Sequence, residues 1–168
     1  NAHPCYAGDL TTATNPALLE RVKGADLLLV VGSRLDEIAT QRYRLIEPPV
    51  PSQTLIHVHA DASVLGSVYQ PKLAIQAGMA EFAAAVRALA PEAAPRWAEQ
   101  RAAARKDYED SLVPSAYDGA LDLGACMVWL RETMPADAIV TIDAGNFSGW
   151  PMRFLQWQRP RTQLAPQA

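Results

Sequence analysis

The chain has 168 residues, of which 49% are apolar and 20% charged, so it can bury the core of one compact domain. Its formal net charge is −3 and its 15 lysines and arginines are scattered, which argues against nucleic acid as a partner. Cys5 and Cys126 form no C-x-x-C or Cys/His spacing, so we expect a reducing cytoplasm and neither a disulfide framework nor a zinc site. The longest apolar run, residues 25–31, is too short to span a membrane.

The first predicted elements are a short helix and a strand. Residues 14–16 (Thr-Asn-Pro) combine a capping side chain with a proline, which favours the start of a helix. We predict this helix over 17–23, ending at Gly24. The Leu/Val-rich run 26–31, ended by Gly32, is typical of a strand buried on both faces of a parallel sheet.

Two more strands and two helices follow. Residues 54–60 and 73–77 predict the strands, and Asp61 can cap a short helix over 62–68. Apolar residues then recur at spacings of three and four and predict one face of a helix, namely Met79, Phe82, Val86 and Leu89. Strands that alternate with helices predict an α/β fold with a doubly wound, mostly parallel sheet.

The pattern changes after residue 90. Residues 91–95 contain two prolines, and residues 96–110 predict a charged, alanine-rich helix. After a loop over 113–119, the positions of Leu123, Met127, Leu130 and Met134 predict an amphipathic helix. Residues 138–142 predict a strand, and residues 156–168, rich in Pro, Gln and Arg, are expected to fray.

We therefore expect three parts along the chain. They are a nucleotide-fold domain over 1–90, a linker with a charged helix over 91–119, and the start of a further domain over 120–168. Because the chain opens on Asn1 and not on Met, we expect it to be cut from a longer protein.

Three stretches, in this order, resemble the acetolactate synthase-like family of thiamine-diphosphate enzymes. The sequence HPCYAG at 3–8 is similar to the family loop HP-x-Y-x-G. Residues 25–37 and 55–61 resemble the family turn AD-x-x-L-x-x-G-x-R-x-D/E and the strand end I-H-I-D-x-D. Residues 139–150 are similar to the strand and loop that open the family's cofactor-binding domain.

The resemblance implies a DHS-like or Rossmann-like central domain, incomplete at its N-terminal side, from an enzyme that uses thiamine diphosphate and Mg²⁺. Its substrate would be a 2-oxo acid, in acetolactate synthesis or in decarboxylation as by benzoylformate decarboxylase, and the enzyme would be a homodimer or homotetramer. The family's catalytic glutamate and its metal-binding GDG motif lie outside this chain. We therefore expect no catalytic residue and no metal ligand here, and an isolated chain that is inactive.

One candidate cofactor site is formed by Gly32, Ser33, Arg34 and Asp61, at the ends of two predicted strands where open α/β sheets bind ligands. The resemblance implies that FAD or ADP can bind at this turn, with the guanidinium on a phosphate or on adenine. His59 replaces the family's first acidic residue, which argues against FAD. The alternative is that Arg34 pairs with Asp36 or Glu37, or is solvated.

The other candidate site is formed by Asp143, Gly145 and Asn146 after the last predicted strand. A glycine lets the backbone approach a diphosphate closely, and an amide can donate to it. The resemblance implies contact with the tail of thiamine diphosphate. The alternative is an ordinary strand-to-helix turn with an Asx cap.

Other notable side chains have structural interpretations. His57 and His59 face the same side of a strand, but no third metal ligand is evident, so we expect packed or hydrogen-bonded rings. Trp150, Phe154 and Trp157 recur at helical spacing and are expected to pack.

Two other functions remain open. The chain can be a stand-alone module that binds FAD, NAD or ADP, which a thermal shift with nucleotide would reveal. It can also be a structural fragment that self-associates through an uncovered sheet edge, in which case light scattering would show more than a monomer.

Overall fold

The computed structural model describes residues 1–11, 13–90 and 96–165, so the predicted interruption at 91–95 lies outside the described residues. The chain forms two compact units. One comprises residues 10–97, and the other comprises residues 1–9 together with 98–168.

The unit over 10–97 contains a parallel three-stranded sheet with two helices. Its elements are α1 (Pro16–Lys23), β1 (Leu27–Val31), β2 (Thr54–His59), β3 (Leu73–Gln76) and α2 (Met79–Arg87). The strand order is β1-β2-β3 and both pairings are parallel, with Leu28 opposite Leu55 and His57 opposite Ala74. The carboxyl ends of β1 and β2 therefore lie side by side, and the predicted α/β class is confirmed.

Helix α1 begins where the sequence predicted, at a capping asparagine followed by a proline. Asn15 accepts a hydrogen bond from the Ala17 N–H through its side chain, and Pro16 occupies the first helical turn. Both features lower the free energy of the first turn, whose N–H groups have no partners within the helix.

The two faces of the sheet differ in burial. One face packs on a core in which Leu28 and Val30 contact buried residues, namely Leu35, Leu45, Ile46, Leu55 and Tyr69. On the other face Leu27, Leu29 and Val31 remain 48%, 54% and 42% exposed. The prediction that this strand is buried on both faces is therefore wrong. An apolar run shows that both faces of a strand could be buried, not that both are. Strand β1 lies at the edge of the sheet and only one of its faces is covered.

Substitutions on the two faces should have unequal costs. We expect Leu55→Ala to lower the free energy of unfolding by about 3 kcal/mol, because its side chain is 1% exposed and its loss leaves a cavity. Leu29→Ala, at a site that is 54% exposed, should cost less than about 1 kcal/mol. Urea denaturation of both variants measures the difference, and equal losses would contradict the assignment of the faces.

The predicted helix over 62–68 is also wrong, since these residues form successive turns. The backbone makes only i to i−3 bonds there, from Val64 to Asp61 and from Leu65 to Ala62. Gly66, with φ of 80°, then leaves the right-handed region. Asp61 begins a turn here, as predicted, but the positive φ of Gly66 is incompatible with a right-handed α-helix through residue 68.

Within its described residues, the second unit contains three α-helices, one short 3₁₀ turn and a two-stranded parallel ladder. The helices are α3 (Ala98–Ser111), α4 (Leu123–Thr133) and α5 (Gly149–Phe154), and the strands are β4 (Val140–Thr141) and β5 (Gln163–Leu164). The Asp122 side chain caps α4 by accepting from the Ala125 N–H. Trp150 and Phe154 stack with ring centroids 5.9 Å apart, which supports a packing role for both.

The prediction that the chain frays after residue 156 is wrong for β5. The Val140 N–H donates to the Thr162 carbonyl at 2.9 Å, and the Ile142 N–H donates to the Leu164 carbonyl at 2.8 Å. A strand of two residues has no periodicity to detect, so only its partner in space reveals it. Residues 166–168 lie outside the described part.

Residues 1–9 contact α3 through the side chains of Arg105 and Tyr108. Arg105 donates from Nη1 to the carbonyls of Asn1, His3 and Tyr6 at 3.0, 3.3 and 3.2 Å. The rings of Tyr6 and Tyr108 meet edge to face with centroids 4.9 Å apart. Burial, helped by a hydrogen bond to Asp9 and by that carboxylate's charge, raises the pKa of Tyr6.

Candidate functional site

The first candidate site begins where β1 ends. Gly32 has φ of 77°, and its N–H donates to the Val58 carbonyl of β2 at 2.9 Å. A Cβ at Gly32 would lie 2.8 Å from Met79 Sδ, so the first residue of α2 packs directly over this turn. The positive φ favours glycine here, whereas the contact with Met79 could be relieved by a shift of that flexible side chain. The contact with Met79 was not predicted, because it joins residues 47 positions apart.

The rest of the turn is held by hydrogen bonds. Ser33 Oγ accepts from the Leu35 N–H at 3.2 Å, and the Ser33 carbonyl lies 2.8 Å from Nε2 of the buried His57. Because a carbonyl can only accept, Nε2 must carry the proton of this bond. His57 therefore supports the turn, as the hydrogen-bonded interpretation predicted.

Asp61 lies at the carboxyl end of β2 and is tied to its own loop. Its Oδ1 accepts from the Ser63 N–H at 2.9 Å and from the Ser63 hydroxyl at 2.7 Å, while its N–H donates to His59 Nδ1 at 3.0 Å. The Ser63 hydroxyl, then the Ser63 N–H, hold the pKa of Asp61 below its usual value of 3.8, and the charges of His59 and, least, of Arg34 add to this effect. The structure thus places Arg34 within electrostatic reach of Asp61.

Removing the Ser63 hydroxyl should weaken this effect. We expect Ser63→Ala to move the pKa of Asp61 upward toward 3.8, since one of the two hydrogen bonds to the charged carboxylate is lost. Because the pKa of Asp61 is lower in the folded than in the unfolded chain, its carboxylate stabilises the fold at pH values above the unfolded-state pKa. This stabilisation is lost as the pH falls through the folded-state pKa of Asp61. A ¹³C NMR titration of the carboxyl measures the shift, and an unchanged midpoint would contradict this assignment.

The Arg34 side chain is exposed and has no ion pair among the described residues. The nearby Asp36 accepts through Oδ1 from the N–H groups of Ile38 and Ala39 at 3.1 and 2.9 Å, so this carboxylate caps a backbone turn. Arg34 thus remains available to an anion at the sheet edge.

The second candidate site follows β4. Gly145 has φ of 146°, and a Cβ there would lie 2.9 Å from Phe147 Cε1. Asp143 Oδ1 accepts from the Ala144 N–H at 2.7 Å, and Asn146 opens a short 3₁₀ turn, Asn146–Ser148. Asp143, Gly145 and Asn146 are all exposed, and the structure brings them together in one loop.

Gly145 and Ser148 fix the backbone of this loop. Gly145 adopts a backbone conformation that other residues avoid, and its carbonyl accepts from the N–H and the hydroxyl of Ser148 at 3.0 and 2.7 Å. That carbonyl is therefore occupied, and the Asn146 side chain is exposed. The Ser148 contact was not predicted, although a hydroxyl three residues after a glycine is a usable sequence signal.

The described residues contain no group of three or more potential metal ligands. The rings of His57 and His59 lie 6.3 Å apart on one side of β2, as the strand periodicity predicted. No described helix combines the length and the apolar character needed to cross a bilayer.

Comparison with known proteins identifies the family. Residues 1–86, just over half of the chain, match the family described as thiamine pyrophosphate enzyme, central domain. The chain is 32% identical over 169 residues to acetolactate synthase isozyme 1 large subunit of Escherichia coli (strain K12), covering 97% of the chain and 28% of the relative. Against isozyme 2 of the same organism it is 25% identical over 161 residues, covering 94% of the chain and 28% of the relative.

A third relative is sulfoacetaldehyde acetyltransferase of Castellaniella defragrans, 23% identical over 188 residues, with 98% of the chain and 31% of the relative covered. The chain thus spans less than a third of the length of each of these relatives. The resemblance based on the three sequence stretches is confirmed. This chain belongs to the thiamine pyrophosphate enzymes, and its residues 1–86 match the central domain of that family.

Proposed function

We propose that the protein containing this chain is a thiamine-diphosphate- and Mg²⁺-dependent enzyme that acts on 2-oxo acids, in the manner of an acetolactate synthase. The observation that carries the proposal is the extent of similarity to the isozyme 1 large subunit. That similarity covers 97% of the chain, whereas the central-domain match covers residues 1–86. It therefore continues into the region of the Asp143–Asn146 loop.

In this proposal the loop after β4 meets the diphosphate end of the cofactor. Gly145 supplies the close backbone approach and Asn146 supplies a donor, while Asp143 holds the loop through its bond to the Ala144 N–H. When bound, thiamine diphosphate supplies an electron sink for the decarboxylation of a 2-oxo acid. The catalytic glutamate and the metal ligands would come from outside these 168 residues, so the isolated chain should be inactive.

A second proposed role concerns the edge of the sheet over 10–97. Gly32, Ser33, Arg34 and Asp61 lie at the adjacent ends of β1 and β2, and the exposed guanidinium of Arg34 supports binding of a nucleotide phosphate. His59, in place of the family's first acidic residue, argues against FAD, so ADP is the nucleotide proposed. A thermal shift with ADP tests this role, and no shift with either nucleotide would contradict it.

The proposed organisation remains a central domain over 1–90, a linker over 91–119 and the start of the cofactor-binding domain over 120–168. We also propose a homo-oligomer in the cytoplasm. The free cysteines, Cys5 and Cys126, support a reducing compartment.

The test of function uses the complete protein. With thiamine diphosphate and Mg²⁺ added, it should consume pyruvate, release carbon dioxide and form acetolactate, which can be detected after conversion to acetoin. Benzoylformate should be tried in parallel, since turnover of that substrate alone would indicate a decarboxylase. If cofactor-loaded protein turned over no 2-oxo acid, the proposal would be wrong.

A further inference from the structure

A groove of about 590 Å³ lies between α1 and the loop that follows β1. Its floor is apolar and is formed by Leu19 of α1 with Ile38 and Leu45 of the loop. This volume falls within the range of about 300 to 1,000 Å³ that is usual for small-molecule sites. The residues differ from those proposed above for either cofactor.

The rim of the groove carries a net positive charge. Lys23 is paired with Glu20 at 2.8 Å, which leaves Arg42 and Arg44 facing the single carboxylate of Glu37. Both arginines are exposed, and neither makes an ion pair among the residues that the structure describes. The rim is therefore complementary to one negative charge.

The loop holds Arg42 in an unfavourable backbone conformation. Gln41, Arg42 and Tyr43 have φ of 52°, 61° and 59°, three successive residues in the left-handed region that L-residues other than glycine rarely adopt. Such conformations persist only where neighbouring groups impose them, and they cluster at functional sites.

Three hydrogen bonds impose this conformation. The Arg42 N–H donates to the Glu37 carbonyl at 2.6 Å, and Gln41 Nε2 donates to the Thr11 carbonyl at 2.7 Å. The Tyr43 N–H donates to Oγ1 of the fully buried Thr40 at 3.1 Å. The backbone carrying Arg42 is thus fixed at the rim of the groove.

We propose that this groove binds a small organic monoanion. Its carboxylate would pair with Arg42 and Arg44, because a guanidinium presents its N–H donors in the geometry that a carboxylate accepts. Its apolar body would lie along Leu19, Ile38 and Leu45. This site is independent of the proposed reaction, so it can be tested whether or not the protein turns over a 2-oxo acid.

The test compares three probes that share one apolar body, namely 4-phenylbutyrate, 4-phenylbutanol and 4-phenylbutylamine. Titration into the ¹⁵N-labelled chain should shift the amide signals of residues 37–45 with the carboxylate. Binding of the alcohol should be at least tenfold weaker, and the amine should not bind. Equal affinity for all three probes, or shifts confined to the exposed face of β1, would overturn the proposal.

Substitutions of the two arginines test whether their charge, and not the fold of the loop, is responsible for binding the carboxylate. Arg42→Gln and Arg44→Gln should each weaken phenylbutyrate binding at least fivefold, whereas Arg101→Gln, at an exposed site on α3, should leave it unchanged. Arg42→Gly should lose the same affinity without lowering Tm, since glycine accepts a positive φ. Unchanged affinity in the Arg42 and Arg44 variants would show that the groove does not select anions.

Discussion

Replacing Gly145 with valine in the complete protein is expected to weaken its dependence on thiamine diphosphate by roughly 5- to 100-fold, measured as the concentration that gives half-maximal activity. The conformation at Gly145, with φ of 146° and ψ of 168°, is essentially restricted to glycine. Forcing a side chain into such a region costs of order 1 to 3 kcal/mol, and each 1.36 kcal/mol corresponds to tenfold. The new Cβ would also lie 2.9 Å from Phe147 Cε1.

Two controls separate the backbone effect from the steric one. Ala144→Ser changes the exposed neighbouring residue and should leave the cofactor dependence unchanged. Adding Phe147→Ala to Gly145→Val removes the ring contact but leaves the backbone strain, so it should restore only part of the loss. If Gly145→Val kept the original cofactor dependence, the loop would not approach the diphosphate and the ordinary-turn interpretation would hold.

Replacing Arg105 with methionine should lower the free energy of unfolding by about 2 to 3 kcal/mol, because bonds from a charged donor to three carbonyls are lost. The side chain is only 18% exposed, so water cannot fully replace these bonds. Arg105 also lies over the Tyr108 ring, 5.0 Å from its centroid, which adds about 0.5 to 1 kcal/mol. Urea denaturation followed by far-UV circular dichroism measures the loss.

The matched control is Arg101→Met on the same helix, where the side chain is exposed. This variant should change the unfolding free energy by less than about 0.5 kcal/mol. Arg105→Lys should recover only part of the stability, since an ammonium lacks the planar array of donors. Equal effects of Arg105→Met and Arg101→Met would show that the arginine does not hold residues 1–9.

Local sequence signals predicted the elements of the sheet unit well. The helix at Pro16–Lys23 follows from its cap and its proline, and the strands Leu27–Val31, Thr54–His59 and Leu73–Gln76 lie within the predicted runs. These features depend on chemistry that acts over a few residues. The same signals singled out both candidate sites, whose function stays a prediction, because glycine and polar residues directly followed strand-like runs.

The wrong predictions for β1 and β5 concern contacts with residues that are distant in sequence. The wrong prediction for 62–68 concerns a local glycine. The apolar run of β1 carries no information about which of its faces is covered. Strand β5 forms because the N–H groups of Val140 and Ile142 donate to the carbonyls of Thr162 and Leu164. The turns at 62–68 could have been predicted from the sequence, since a glycine such as Gly66 is unfavourable within a helix. Sequence reasoning also missed the groove, because its walls come from α1 and from a loop about twenty residues later.

The family, the α/β class and the positions of the glycine turns follow from the order of motifs and from short-range propensity, which are legible in the amino-acid sequence. The role of His57, which holds the Ser33 carbonyl across 24 positions, and the availability of Arg34, whose neighbour Asp36 is bonded to the backbone, emerge only from the folded chain. Hydrogen bonds and burial join groups by distance in space, and that distance is set only when the chain has folded.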